Sequence, residues 1–259
     1  PGGVWVGNLS LEPESGPGWD PKGVRFLGEW DYLGRAQGQV RVPNNRNIKL
    51  VVFLDLAPRE AARLRMENPR AYQMLIADGV REGPRDLSGL AALDPNDLYW
   101  LSVGSAKYDR AGTQPRLLEP VRRLTGLQML SLQSAGIADS SLENLRPLQS
   151  LRGLELTQFP LGSRGLLVLK DLPNLEYLSL NTGLTDTGLR EVAQVSSLRW
   201  LSIIDGRMWG PGLSELAKLP RLERLCIHQS RGQISDRHIA CLEGLRHLKS
   251  LTFWSAGCN

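Results

Sequence analysis

The chain repeats one short motif. "LQMLSL" begins at Leu127, "LRGLEL" at Leu151, "LEYLSL" at Leu175, "LRWLSI" at Leu198, "LERLCI" at Leu222 and "LKSLTF" at Leu248, at offsets of 24, 24, 23, 24 and 26 residues. A degenerate copy, "LYWLSV", starts at Leu98, 29 residues before Leu127. A period of this length is the mark of a stacked array: each unit is too small to bury its apolar residues alone, and neighbours share one core. Within each copy the apolar positions end in a strand-like alternation. Leucine-type residues therefore point to one face and the residues between them to the other.

The second half of each unit also recurs. "DSSLENLRPLQSL" (139–151) is matched by "SRGLLVLKDLPNL" (163–175), "DTGLREVAQVSSL" (186–198), "GPGLSELAKLPRL" (210–222) and "DRHIACLEGLRHL" (236–248). Leucine at three-residue steps suits a short helix lying against a neighbour. Asp139, Ser163, Asp186 and Asp236 share one position, three residues before the first apolar residue, where a short oxygen-bearing side chain is expected to cap the helix; Gly210 replaces them in one copy. Parallel strands need a long crossover, and the helix supplies it.

This pattern, L-x-x-L-x-L followed by a loop and a helix, resembles the leucine-rich-repeat family. The "GLTDTGL" element at 183–189 resembles the variant common in bacterial repeat proteins. The resemblance covers residues 86–259. It implies an α/β fold: a right-handed solenoid of six to seven repeats, with parallel strands on the concave face and helices on the convex face. "DLSGLAALDPNDL" (86–98) reads as the helical half of an incomplete first repeat. No polar capping helix follows "LKSLTF", so the natural protein is expected to continue into further repeats or another domain, and the chain's start at Pro1 suits a fragment or a processed product.

Residues 1–85 do not repeat and are expected to form a β-rich capping subdomain with one helix. "VWVGNLSL" (4–11) and "VRFLGEW" (24–30) are strand candidates, and "GQVRVPNNRNIKLVVFLDL" (38–56) reads as two strands around a turn at Asn44 to Asn47. "APREAARLRMENPRAYQMLIADG" (57–79) reads as helical, with Pro58 acceptable in the first turn and Pro69 interrupting it.

Composition narrows the function classes. The net charge of +4 comes from 31 basic and 27 acidic residues that are interspersed, with Arg122–Arg123 the densest basic pair, which argues against nucleic acid. No apolar run reaches the length of a membrane span. Three cysteines, Cys226, Cys241 and Cys258, do not make a disulfide framework, and favour a cytoplasmic over an extracytoplasmic location. No phosphate loop, H-E-x-x-H or G-x-S-x-G is present. Cys226 and His228, with Asp205 nearby, hint at zinc, but Cys241, His238 and His247 fall on the convex side, too few ligands remain, and no metal or cofactor is expected.

The outward strand positions form columns on the concave face. The first holds Trp100, Met129, Gly153, Tyr177, Trp200, Arg224 and Ser250; the second Ser102, Ser131, Glu155, Ser179, Ser202, Cys226 and Thr252; the third Gln133, Thr157, Asn181, Ile204, His228 and Trp254. Tyr177, Trp200 and Arg224 on consecutive strands, about 4.8 Å apart, would make one patch of the residue types most enriched at binding hot spots. The expected partner-binding set is Trp100, Met129, Glu155, Tyr177, Asn181, Trp200, Arg224, His228 and Trp254. The alternative is that the aromatics fold down on their neighbours. The expected function is a monomeric, non-catalytic protein-interaction module whose protein partner the sequence does not name. Two alternatives stand beside it: the recognition or sensor region of a larger enzyme such as a kinase or protease, and a structural or adhesive spacer, favoured if the concave aromatics are buried.

Overall fold

Each L-x-x-L-x-L copy ends in a strand laid parallel to the next, leucine beside leucine. The computed structural model describes residues 7–11, 19–20, 23–24, 31–35, 48–52, 72–79, 87, 90–91, 93–96, 98, 100–105, 116–133, 137–158, 161–204, 206, 211–229 and 240–255. The repeat strands are β7 (Trp100–Ser105), β8 (Met129–Gln133), β9 (Gly153–Thr157), β10 (Tyr177–Asn181), β11 (Trp200–Ile204), β12 (Arg224–Gln229) and β13 (Ser250–Ser255). They pair consecutively and without a register shift.

One core column runs through Leu130, Leu154, Leu178, Leu201 and Leu225 in direct register, and none of these is more than 1% exposed. A continuous stack is the only arrangement that buries every copy's leucines, and it does so here over most of the array. The exception is Leu251. It pairs with Leu225 in the same column, yet it is 41% exposed.

The sheet does not stop at the first repeat. β6 (Tyr72–Gly79) lies parallel to β7, placing Leu75 beside Leu101 and Ala77 beside Val103. β5 (Ile48–Val52) lies parallel to β6, and β1 (Gly7–Leu11) and β4 (Asp31–Arg35) add antiparallel strands, for eleven strands in one sheet among the described residues. β2 (Trp19–Asp20) and β3 (Gly23–Val24) form a separate short ribbon.

This corrects the helix expected over 57–79: residues 72–79 are a strand. The helix formers upstream extend a helical reading into "YQMLIADG", whereas two parallel neighbours satisfy its backbone as a strand. Of the other N-terminal expectations, 7–11 and 48–52 are strands. Residues 4–6, 25–30, 38–47 and 53–71 lie outside the described residues, as do Asp205, Gly210, Asp236 and His238.

The crossovers are tighter than ordinary α-helices. Asp139–Leu145, Leu167–Asp171 and Pro211–Lys218 are 3-10 helices, while Ser163–Leu166 and Asp186–Val192 are α-helical. The three-residue leucine step suits this, since side chains at i and i+3 eclipse in a 3-10 helix, although Leu189 and Val192 keep the same step within the α-helix Asp186–Val192. Leu142 and Leu145 thereby line one face of the first of these, Leu148 and Leu151 continue the three-residue step beyond its end, and all four are fully buried.

The expected caps are displaced by one residue. Asp139, Ser163 and Asp186 are the first helical residues, and the cap positions belong to Ala138, Gly162 and Thr185. Only Thr185 accepts from the backbone in this way, through Oγ1 from Gly188 N–H. Asp139 instead reaches across repeats: its two carboxylate oxygens accept from Gly162 N–H at 3.0 and 3.1 Å. Asn174 Nδ2 and Ser197 Oγ likewise donate to carbonyls of the preceding repeat, Gln149 at 2.8 Å and Leu175 at 2.7 Å.

A line of alternating charge marks the N-terminal rim of the strands. The residue after the first leucine of five successive repeats is Arg152, Glu176, Arg199, Glu223 and Lys249. Arg152 meets Glu176 at 3.0 Å, and Glu223 sits between Arg199 at 2.8 Å and Lys249 at 3.0 Å. Hydrogen bonds from Lys249 and then Arg199 hold the Glu223 carboxyl below the usual carboxylate range. A depressed pKa of this kind stabilises the fold at neutral pH, and the contribution fades as pH falls through the folded-state value. Because the rungs are partly exposed, each pair is worth roughly 0.2–1 kcal/mol.

Candidate binding surface on the concave face

The direct register turns the sequence columns into physical rows. Trp100, Met129, Gly153, Tyr177, Trp200, Arg224 and Ser250 lie side by side across seven strands. Gly153 is the pivot of this row. A Cβ built there would stand 2.6 Å from the Met129 methyl carbon and 3.4 Å from Tyr177 Cδ1. The missing side chain leaves a hollow, and its two neighbours fill it from opposite sides.

Met129 and Tyr177 are consequently buried, at 2% and 6% exposure. This corrects the expectation that both stand open on the face. The Tyr177 hydroxyl donates to Glu155 Oε1 at 3.0 Å, so Glu155 is held in place in the second column. Burial first, and the Glu155 carboxylate second, push the Tyr177 pKa far above the ordinary tyrosine value.

The Tyr177 ring meets Trp200 edge-to-face, with centroids 5.1 Å apart and planes at 76°. Arg224 completes the row, its guanidinium carbon 5.6 Å from the Trp200 ring centre. Such ring and cation–ring contacts contribute about 0.5–1.5 kcal/mol each beyond area burial. Trp200 and Arg224 remain half-buried, as does Trp100. The patch expected over Tyr177, Trp200 and Arg224 is thus contiguous, but its accessible part is Trp200 and Arg224.

The second column is a trough of small polar side chains. Ser102, Ser131, Ser179, Ser202, Cys226 and Thr252 are all half-buried, with Glu155 the one large member. Asn181 and His228, from the third column, are half-buried at the strand exits beside Ile204. Trp254 pairs with His228 through its backbone; its side chain lies outside the described residues. Cys241 packs partly buried against the core, while His247 is exposed beside the charged rim, in a groove it lines with Glu223 and Lys249, and not on the convex side expected for it. Among the described residues no three His, Cys, Asp or Glu side chains converge as metal ligands, and no helix is long and apolar enough to cross a membrane.

The role of Gly153 as a hollow was missed by reading each column residue separately. The order methionine, glycine, tyrosine within one column carries the signal. It predicts a measurable outcome at alkaline pH. The folded-state pKa of Tyr177 lies above the unfolded value of about 10, so its contribution to stability is complete below that pH and is lost as pH rises toward the folded-state value. In an absorbance titration, Tyr177 should stay un-ionised until the protein unfolds, and Tyr177→Phe should remove one tyrosine from that late step. An unchanged late step in Tyr177→Phe would contradict the buried geometry.

Solved structures with the same architecture fit this chain. An internalin (inlF) from Listeria monocytogenes str. 4b F2365 superposes with a TM-score of 0.51 at 24% identity, over 71% of this chain. An internalin C2 (inlC2) from the same strain superposes with a TM-score of 0.51 at 22% identity, over 86% of this chain and 85% of its own. The fold is a leucine-rich-repeat solenoid. This solenoid spans 48% of the inlF structure, about half its length. No protein-family model and no curated protein matches the sequence.

Proposed function

We propose that this leucine-rich-repeat solenoid is a non-catalytic module that binds a protein partner on its concave face. The observation that carries the reading is the row from Tyr177 through Trp200 to Arg224. An aromatic ring and a guanidinium are held in fixed orientation on a rigid sheet and remain partly accessible. Preformed groups of this kind bind with little ordering cost, and Trp and Arg are the types that dominate interface energetics. Trp100, Glu155, Asn181 and His228 fall around the same face, and Trp254 holds the strand position next to His228. Met129 and Tyr177 serve it from below, as supports.

The test is affinity capture with the wild type and a Trp200→Ala variant. Truncating a central anchor typically weakens a complex by about 2 kcal/mol or more, roughly thirtyfold, while the lost edge contact to Tyr177 costs stability only about 0.5–1.5 kcal/mol. A protein retained by the wild type and lost from a folded Trp200→Ala variant is the expected result. Equal recovery by both would remove the concave face from consideration.

A second reading, a structural spacer, has one observation in its favour. Met129 and Tyr177 spend their side chains on the solenoid itself. It predicts that no capture depends on Trp200.

A further inference from the structure

The turns that lead into the last four strands form a groove. It follows the N-terminal rim from the repeat of β10 to that of β13, has a volume of about 450 Å3, and takes no lining residue from the concave columns. Two sequence positions make its walls, the residue just before the first leucine of each repeat and the residue just after it. The position after is the charged rim of Glu176, Arg199, Glu223 and Lys249. The position before holds Asn174, Ser197, Arg221 and His247, with Pro173 and Pro220 beside it.

The position before the leucine changes character along the array. In two repeats it ties the stack together: Asn174 Nδ2 donates to the Gln149 carbonyl at 2.8 Å, and Ser197 Oγ to the Leu175 carbonyl at 2.7 Å. In the next two repeats it is basic and makes no such tie. Arg221 and His247 are exposed, and among the described residues neither meets a carboxylate nor donates to a carbonyl. The stack makes no use of these two side chains. The carboxylates of the groove, by contrast, are already matched. Glu176 meets Arg152 at 3.0 Å, and Glu223 meets both Arg199 at 2.8 Å and Lys249 at 3.0 Å. Two cations on one carboxylate leave a positive surplus at this end of the rim, and Arg221 adds to it.

We propose that the rim groove is a second docking surface, separate from the concave face, and that it takes an acidic segment of a protein partner. Carboxylate side chains of the segment meet Arg221 and Lys249, and the His247 ring supplies a further N–H donor beside them. A groove of this volume is the size of a small-ligand site, so it holds a few residues and not a folded domain. Its chemistry favours carboxylates over a nucleic-acid backbone. A phosphodiester chain carries a charge on every unit and would press some of them against Glu176 and Glu223. Carboxylates on a peptide can be spaced to avoid both. Contacts between rim charges act strongly on the rate of association and weaken with salt.

A fluorescein-labelled hexaglutamate peptide is the probe, followed by fluorescence anisotropy on the whole chain. The wild type should bind it, and binding should weaken as salt is raised. Arg221→Glu should lower the affinity by about tenfold or more, and Lys249→Gln and His247→Ala each by a smaller factor. All three side chains are exposed, and circular dichroism first checks that each variant keeps the wild-type fold. Arg164→Glu is the control. Arg164 is exposed on the helix Ser163–Leu166, lines no part of the groove, and its reversal changes the net charge by the same amount; the affinity should not change. Equal losses in Arg221→Glu and Arg164→Glu would reveal general charge attraction and overturn the proposal. No binding by the wild type, binding unmoved by Arg221→Glu, or tighter binding of an oligothymidylate of equal charge would overturn it as well. None of these measurements involves Trp200, so the concave-face reading is judged apart from this one.

Discussion

Leu178→Ala should lower the unfolding free energy by about 2–5 kcal/mol, the range for truncating a leucine in a close-packed core. Leu178 is fully buried and flanked in register by Leu154 and Leu201, themselves fully buried. A cavity there opens toward both neighbouring repeats, and the sheet hydrogen bonds that fix their spacing restrain collapse around it. Chemical denaturation followed by circular dichroism measures the loss. Leu167→Ala is the matched control, because Leu167 is 38% exposed on the convex side and surface changes usually stay within about 0.5 kcal/mol. Equal losses at the two positions would contradict the stacking described here.

The second large effect is expected at Gly212. This buried glycine opens the Pro211–Lys218 helix, and a Cβ added to it would stand 2.6 Å from Asp186 Cα and 2.7 Å from Asp186 Cβ in the preceding repeat. Those atoms belong to the helix Asp186–Val192 and cannot rotate aside. Gly212→Ala should therefore force the two crossovers apart and cost about 1–3 kcal/mol, the usual range for overpacking. Gly153→Ala is the instructive comparison. Its added Cβ meets mainly the end of the Met129 side chain, which is flexible and can move. Thermal unfolding of the two variants should rank Gly212→Ala well below Gly153→Ala; the reverse order would show that the concave hollow is the tighter contact.

Much of this architecture was legible in the leucine spacing. The strands β8 to β13 and their core columns follow from the repeat, because an in-register stack is the only way to bury every copy. Three features were not legible there. The caps at Thr185, Gly162 and Ala138 were misplaced by one residue, since apolar spacing alone does not fix a helix boundary that closely. The strand Tyr72–Gly79 has no L-x-x-L-x-L pattern, and only its two parallel neighbours make it a strand. The burial of Met129 and Tyr177 depends on an absent side chain between them, and a residue-by-residue polarity argument does not register an absence.

The candidate site was legible as a location and misjudged in its depth. Aligned repeats place Tyr177, Trp200 and Arg224 on adjacent strands, and the register agrees. Their contacts divide them into a support and two accessible groups, which column position could not do. The charge sequence at Arg152, Glu176, Arg199, Glu223 and Lys249 was equally open to reading in the alignment. It belongs to a position between the leucines that draws notice only when neighbouring repeats are compared.

That charged rim gives the array a parity. Each rung is satisfied by a neighbour of opposite sign, so the array is built of couples even though its geometry is built of single units. Copying one repeat in place would set two like charges side by side on adjacent strands, whereas copying two adjacent repeats would keep every junction matched. Lengthening such a solenoid, by duplication in a genome or by design at the bench, should be tolerated better in even steps than in odd ones.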